Sequence, residues 1–130
     1  MYEFNTTLDH PFEQALALVR EALLTQQLGI VSEVDVQTVL KQKLQKEIPP
    51  YRILGACSPL LAERVLAAEP NAGALLPCNL VVRDVGNNRT QVSFMDPVVV
   101  LGLSTSSEVK AVAAEAKEKL SKVLAQLETD

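Results

Sequence analysis

The two cysteines are the side chains with the most specific chemistry in this chain, and each lies next to or near a proline. Cys57 stands in the stretch GACSP at 55–59, and Cys78 stands in LLPCN at 75–79. Ser58 followed by Pro59 is typical of a helix start, so the Cys57 sulfur is expected near a helix N-terminus, where thiolate is favoured. This position is the basis of one hypothesis, a thiol enzyme or redox protein with Cys57 as nucleophile and Cys78 as its partner.

The alternative is that both sulfurs are packing groups. Free cysteine is among the most buried residue types and behaves as a small apolar side chain. The spacing of Cys57 and Cys78 is not C-x-x-C, so the thioredoxin signature is absent. The two thiols could form a bridge only if their segments meet in space, because a disulfide requires Cα atoms about 4.4–6.8 Å apart.

Four other polar side chains are candidates for ligand binding. Asn79 follows Cys78, and Asp96 ends the last predicted strand before Pro97. With the two thiols and Pro59, they could line one pocket, although Asn79 and Asp96 could equally satisfy backbone groups in turns. Lys43 and Tyr51 bracket a helix-to-strand turn and could supply a small anion site, or simply a solvated charged face.

Several kinds of site find no support in the residue inventory. A zinc site needs four ligands, and the chain offers two cysteines and one histidine, His10, so we expect no metal. Ser58, His10 and Asp96 have the residue types of a hydrolase triad, but no G-x-S-x-G turn is present, so the sequence does not support a hydrolase site. No glycine-rich phosphate loop follows a strand, and the sequence assigns no cofactor.

The composition limits the partners. The 130 residues carry a net charge of −4 with 4% aromatics and no Trp, so neither phosphate-backbone binding nor base stacking is expected, and no nucleic-acid partner is predicted. No apolar run approaches the ~20 residues that cross a bilayer, and MYEFNTTLDHPF lacks the features of a signal peptide. We therefore expect one domain, residues 1–130, in a soluble cytoplasmic protein with reduced thiols and no membrane partner.

The hydrophobic patterns predict the order β-α-β-α-β-α-β-β-α. Strands alternate with helices early and form a hairpin around GNN late, which favours an α+β fold with a mainly antiparallel five-stranded sheet and helices packed on it. Asp9 or His10 is expected to cap the first helix, and Thr105 with Glu108 the long C-terminal one. The second helix is expected to turn four apolar side chains inward: Val36, Val39, Leu40 and Leu44.

Four stretches in this order resemble the uncharacterised family known as domain of unknown function 302: GIVSEVDVQTVLKQKL, PPYRILGACSPLLAERVLAAEP, GALLPCNLVVRDVG and VSFMDP. The specific part is a C-x-P-x-x-A stretch paired with a later L-P-C-N stretch. The resemblance implies a TATA-binding-protein-like α+β fold, a tendency to form homodimers and no established activity. It also implies recurrent positions, all kept here: Gly29, Lys43, Tyr51, Cys57, Pro59, Leu76, Pro77, Cys78, Asn79, Asp96 and Pro97.

Three functional hypotheses follow. The first is a homodimeric module that binds a small ligand near Cys57, Cys78, Asn79 and Asp96. The second is the thiol enzyme or redox protein, and the third is a purely structural interaction module. The binding module is favoured, because the chain has no motif for a general base, a metal or a phosphate.

Overall fold

The structure, a computed structural model, describes residues 1–130 and contains one five-stranded sheet with helices packed on it. The predicted fold class and element order are confirmed, with one addition, a short helix between the hairpin and the C-terminal helix. The strands are β1 (Glu3–Leu8), β2 (Gly29–Asp35), β3 (Tyr51–Cys57), β4 (Cys78–Gly86) and β5 (Arg89–Met95). The helices are α1 (Phe12–Thr25), α2 (Val36–Leu44), α3 (Pro59–Ala68), α4 (Pro97–Val100) and α5 (Ser107–Thr129), and two 3₁₀ turns cover Pro70–Leu75 and Leu101–Leu103.

The strands lie in the order β1-β5-β4-β3-β2, and every neighbouring pair is antiparallel. The β4–β5 hairpin turns at Asn87 and Asn88, which have φ values of 57° and 58°. Asparagine tolerates this left-handed conformation better than most residues, and two such residues make the turn whose twist matches a hairpin. This local chemistry sets the register of β4, the central strand, against β5.

The main core lies between one face of the sheet and helices α1 and α5. Helix α1 contributes its apolar stripe, and α5 contributes Leu120, Val123 and Leu127 from its C-terminal half. The sheet contributes the inward residues of its central strands, including Val92 and Phe94 on β5, as their alternation predicts. A second core cluster of 8 residues joins α3 and the first 3₁₀ turn to the N-terminal half of α5.

The side chains that alternate with this core point to the opposite side of the sheet, which we call the open face. One cross-strand row on it runs through all five strands and is fixed by the register. Gln91 and Ser93 point this way, as the sequence predicts for them. The row consists of Asn5, Ser93, Val81, Ile53 and Val34.

Two predicted helix caps are wrong. Helix α1 follows Pro11, which has no side-chain cap bond, and the His10 Nε2 atom instead lies 2.9 Å from the backbone oxygen of Asp130. Helix α5 is capped by Ser106, whose Oγ accepts a hydrogen bond from the N–H of Val109 at 3.3 Å. At α5 a neighbouring serine takes the position expected for Thr105, whereas at α1 the residue before the helix is a proline that offers no side-chain acceptor.

Helix α2 begins as expected but does not pack as expected. Asp35 caps it by accepting a hydrogen bond from the N–H of Thr38 at 3.1 Å. None of its residues is buried, and Val39 and Leu44 are 43% and 65% exposed. The prediction of an inward apolar face on α2 is therefore wrong for Val39 and Leu44, while Val36 and Leu40 are half-buried, because the helix follows the edge strand β2 and packs mainly against β3.

Candidate functional site

The two thiols meet at one end of the sheet. Cys57 ends β3 and Cys78 begins the neighbouring strand β4, where it pairs with Ala56, the residue before Cys57. Both cysteines line a cavity of about 30 Å³ beneath α3, together with apolar side chains that include Leu61 and Leu101. They are free thiols. The cavity holds no more than one or two water-sized groups, so it offers no room for a ligand.

The surroundings of the thiols oppose ionisation. Burial raises the pKa of Cys57 above its ordinary value. Burial, with a further contribution from the charge of Cys57, raises the pKa of Cys78 to about 11. A thiolate nucleophile requires a shift in the other direction, which positive charge supplies at low-pKa cysteines.

Ser58 and Pro59, which follow Cys57, are explained by the start of α3. Ser58 is buried, and its Oγ accepts a hydrogen bond from the N–H of Leu61 at 3.5 Å. Pro59 occupies the first helical position, where its missing N–H costs nothing, and it is exposed. Pro59 therefore begins a helix and brings no polar group to the thiol cavity.

Asp96 lies at the junction of β5 and α4 and is fully engaged in structural contacts. Its Oδ2 atom accepts a hydrogen bond from Lys117 at 2.5 Å, and its Oδ1 accepts one from the N–H of Val98 at 2.9 Å. Burial alone would raise the pKa of Asp96, but the bonds from Lys117 and Val98 hold it below its ordinary value. Asp96 does not line the thiol cavity.

Asn79 and Tyr51 lie on the open face and share a groove of about 360 Å³. Every residue of its lining belongs to a strand, except Tyr2, which precedes β1. Val81 and Met95 supply apolar surface, and no helix residue takes part. The structure thus separates Asn79 from the thiols, because both cysteines line the small cavity and Asn79 lines only the groove. Asn79 and Cys78 are consecutive in β4 and point to opposite faces.

A row of hydrogen bonds crosses this groove, and we call it the polar ladder. Arg83 Nη2 donates to Gln91 Oε1 at 2.7 Å, Gln91 Nε2 donates to Asn5 Oδ1 at 3.4 Å, and Asn5 Nδ2 donates to a Glu3 carboxylate oxygen at 3.0 Å. The ladder therefore has a guanidinium at one end and a carboxylate at the other. The sequence analysis predicts the outward direction of Gln91 but names none of the ladder residues as site residues, although the same alternation in the β4–β5 hairpin assigns Arg83 to the non-core face.

Lys43 is not brought to this groove. It lies exposed on α2 and lines neither of the two grooves beside Tyr51. Tyr51 instead pairs across the strands with Arg83. The cation near Tyr51 is therefore Arg83 and not Lys43.

The chain contains no group of three or more His, Cys, Asp or Glu side chains arranged to hold a metal ion. None of its helices combines the length and apolar character needed to span a bilayer.

Comparison with known proteins places this fold in a family. A crystal structure described as an uncharacterized conserved protein DUF302 from Bacillus stearothermophilus is similar to the chain with a TM-score of 0.88 and 25% sequence identity, over 98% of each chain. No curated protein matches the sequence significantly. The model of the family described as domain of unknown function DUF302 matches residues 4–127. The chain therefore belongs to the DUF302 family, as its sequence motifs predict.

Proposed function

We propose that this chain is a homodimeric cytoplasmic module that binds a small ligand, and that the ligand lies in the open-face groove beside Tyr51 and Asn79. The observation that carries the proposal is the groove itself. Its volume of about 360 Å³ falls in the range of small-molecule sites, roughly 300–1,000 Å³. The thiol cavity, at about 30 Å³, does not.

The groove offers both parts of a ligand-binding surface. Val81, Met95 and the ring of Tyr51 supply apolar area, whereas the exposed amide of Asn79 makes no side-chain hydrogen bond within the chain. An amide free to donate and accept can orient a polar ligand group over apolar strands. The ligand class that fits is a small, partly apolar molecule with at least one hydrogen-bonding group.

In this proposal, Cys57, Cys78 and Asp96 do not touch the ligand. They support the strands that form the groove. Cys78 packs against the main core, and strand alternation then turns the next residue, Asn79, outward. Asp96 connects the end of β5 to α5 through Lys117, and so fixes the strand that carries Met95. These residues hold the groove without lining it.

The test is a fragment screen by ¹H–¹⁵N correlation spectroscopy on the wild-type chain, with small carboxylates, amides and phenols as probes. Binding in the groove shifts the amide signals of residues 79–83 and 91–95. Asn79→Ala is expected to weaken such binding at least about tenfold and to change stability by less than about 0.5 kcal/mol. Asn71→Ala, an exposed asparagine in the first 3₁₀ turn, is the matched control and should bind like wild type.

Shifts that cluster around Cys57 and Cys78, or equal binding by the Asn79→Ala and Asn71→Ala variants, would contradict the placement of the ligand.

The second candidate function is a redox pair, and one observation favours it. Cys57 and Cys78 line one cavity, and the charge of Cys57 contributes to the raised pKa of Cys78. A peroxide as oxidant would take two hydrogen atoms from the two thiols, form the S–S bond and leave as water. Their raised pKa values oppose this reaction, because the thiolate is the reactive form. Mass spectrometry of the native chain after treatment with hydrogen peroxide tests it through the loss of two hydrogen atoms.

A further inference from the structure

The polar ladder leaves two charges on the open face without an opposite charge in the chain. Arg20 and Arg52 pair with Glu33, and Arg64 pairs with Glu108 and Glu115. Arg83 bonds only to the neutral amide of Gln91.

Glu3, at the other end of the ladder, bonds only to the neutral amide of Asn5. The ladder holds both charged side chains in place, so little side-chain entropy remains to be lost when a partner arrives.

We propose that a second copy of this chain covers the open face, so that Glu3 of each copy forms an ion pair with Arg83 of the other. The inference rests on the homodimer of the proposed function and adds its interface. A two-fold interface uses the same patch twice, so a patch with an acid at one end and a base at the other is complementary to itself. Both ion pairs then form in one encounter.

The strand register gives the geometry of this contact. Glu3 is opposite Met95 and Arg83 is opposite Gln91, so the two Cα atoms are two strands and four residues apart. At ~4.8 Å per strand and ~3.3 Å per residue, this amounts to about 10 Å across the strands and 13 Å along them.

A two-fold axis between the sheets, perpendicular to the Glu3–Arg83 line, places each acid over the other copy's base. The small side chain of Ser93 lies at the midpoint of that line and permits a close approach. The strands of the two sheets then cross at a steep angle, in the orthogonal class of sheet packing.

The size and composition of the face fit such an interface. Five strands of about seven residues give a footprint of roughly 24 by 23 Å, or about 1,100 Å² over both copies, which exceeds the roughly 1,000 Å² that separates biological interfaces from crystal contacts. Its side chains include Tyr2, Tyr51, Met95 and Arg83, and these three residue types are enriched in interfaces. Tyr2 is 71% exposed in the single chain, which leaves much of its ring to be covered.

The contact would also complete the ligand groove. Ligand sites bury about 70–90% of a small molecule, whereas the groove of one chain is open along its length. A second open face laid over it encloses the space above Val81 and Asn79. The proposed ligand site is thus shared between the two copies.

The test is sedimentation equilibrium on the full chain and on charge-reversal variants. Arg83→Glu and Glu3→Arg each place like charges opposite one another, and each is expected to raise the dimer dissociation constant by roughly tenfold or more. The double variant, with both reversals, restores both pairs in the opposite sense and should return to within about threefold of wild type. Arg89→Glu, at the exposed end of the hairpin, is the matched control and should leave dimerisation unchanged.

A wild-type chain that remains monomeric at high concentration would overturn the inference. Single charge reversals that dimerise like wild type would also overturn it, as would a double variant whose dimerisation is not restored. If a single reversal impairs folding, as judged by circular dichroism, the neutral variants Glu3→Gln and Arg83→Gln replace it, and each should weaken the dimer. A fragment that binds at Asn79 in a monomeric chain would support the ligand site and overturn only the interface. A dimer with the expected charge pattern but no fragment binding would support the interface and overturn only the ligand site.

Discussion

Lys117 of α5 lies 2.5 Å from Asp96, at the end of β5, and its Nζ atom also stands 4.4 Å from the centroid of the Phe4 ring on β1. One cation therefore connects the C-terminal helix to two neighbouring strands. The Asp96 side chain is only 15% exposed, so water screens this pair less than it screens the other ion pairs of the chain. Asp96, which precedes Pro97, therefore does more than form a turn, because its ion pair with Lys117 attaches α5 to the sheet.

Replacement of Asp96 separates its two structural roles. Asp96→Asn keeps a side chain that can cap α4 but removes the charge opposite Lys117, and should lower the free energy of unfolding by about 1–2 kcal/mol. Asp96→Ala also removes the cap, which adds about 1 kcal/mol. Urea unfolding followed by circular dichroism measures both.

The control for Asp96 is Glu118→Gln, which breaks the exposed Lys122–Glu118 pair and should cost less than about 0.5 kcal/mol. Equal costs for Asp96→Asn and Glu118→Gln would show that the Lys117 contact is not stabilising.

Glu33 predicts a dependence of stability on pH. Hydrogen bonds from Arg20 and Arg52 lower the pKa of Glu33, although burial opposes them. A carboxylate with a lowered pKa in the folded state stabilises the fold above its unfolded value, about 4.3, and this contribution is lost as the pH falls through the folded pKa.

Glu33→Gln should therefore be less stable than wild type at about pH 7, and the difference should shrink as the pH falls below about 4.3 and through the lower pKa of the folded state. Thermal unfolding across this pH range measures the difference. Glu47→Gln, at an exposed ion pair with Lys41, provides the comparison and should show little change at any pH. A Glu33→Gln difference that stays constant with pH would contradict the assignment.

The thiols should react slowly at neutral pH. Because burial raises the pKa of Cys57, and that of Cys78 to about 11, alkylation by iodoacetamide should accelerate with pH well beyond the ordinary thiol value of about 8.5. Cys78, which packs against the main core, should react more slowly than Cys57. Mass spectrometry of the native chain after timed alkylation resolves the two sites. A plateau for Cys57 below about pH 8 would favour the thiol enzyme instead.

Gly55 should not tolerate a side chain. The position of its missing Cβ lies 2.5 Å from Pro77 Cγ and closer still to Ser32 Oγ, so Gly55→Ala must displace a proline ring beside the cysteines. We expect a loss of about 1–3 kcal/mol in unfolding free energy by urea denaturation. Gly102→Ala, where no atom lies within 4 Å, is the matched control and should cost less than about 0.5 kcal/mol. Similar losses of unfolding free energy for Gly55→Ala and Gly102→Ala would mean that the Pro77 ring moves aside without strain.

Much of this architecture is local in origin and was therefore predictable. The β4–β5 hairpin follows from alternating side chains around a turn of two asparagines, and Ser58 with Pro59 begins α3 as expected. The predicted cap of α5 was wrong because Ser106 and Thr105 are adjacent residues that compete for one position. The predicted cap of α1 was wrong because the helix begins one residue later, after Pro11, so that no side chain caps it. The apolar residues of α2 gave a helical pattern, but burial depends on what lies opposite, and α2 follows an edge strand.

By itself the sequence determined the α+β class, the order of its elements and the family, because hydrophobic period, turn residues and motifs are properties of neighbouring residues. Only the tertiary structure decided which side chains share a site. The register of β3 and β4 brought Cys57 and Cys78 to one small cavity, whereas alternation within β4 turned Asn79 to the other face. Arg83 and Glu3 are 80 residues apart in the chain, and only the pairing of β1, β5 and β4 makes them two ends of one ladder.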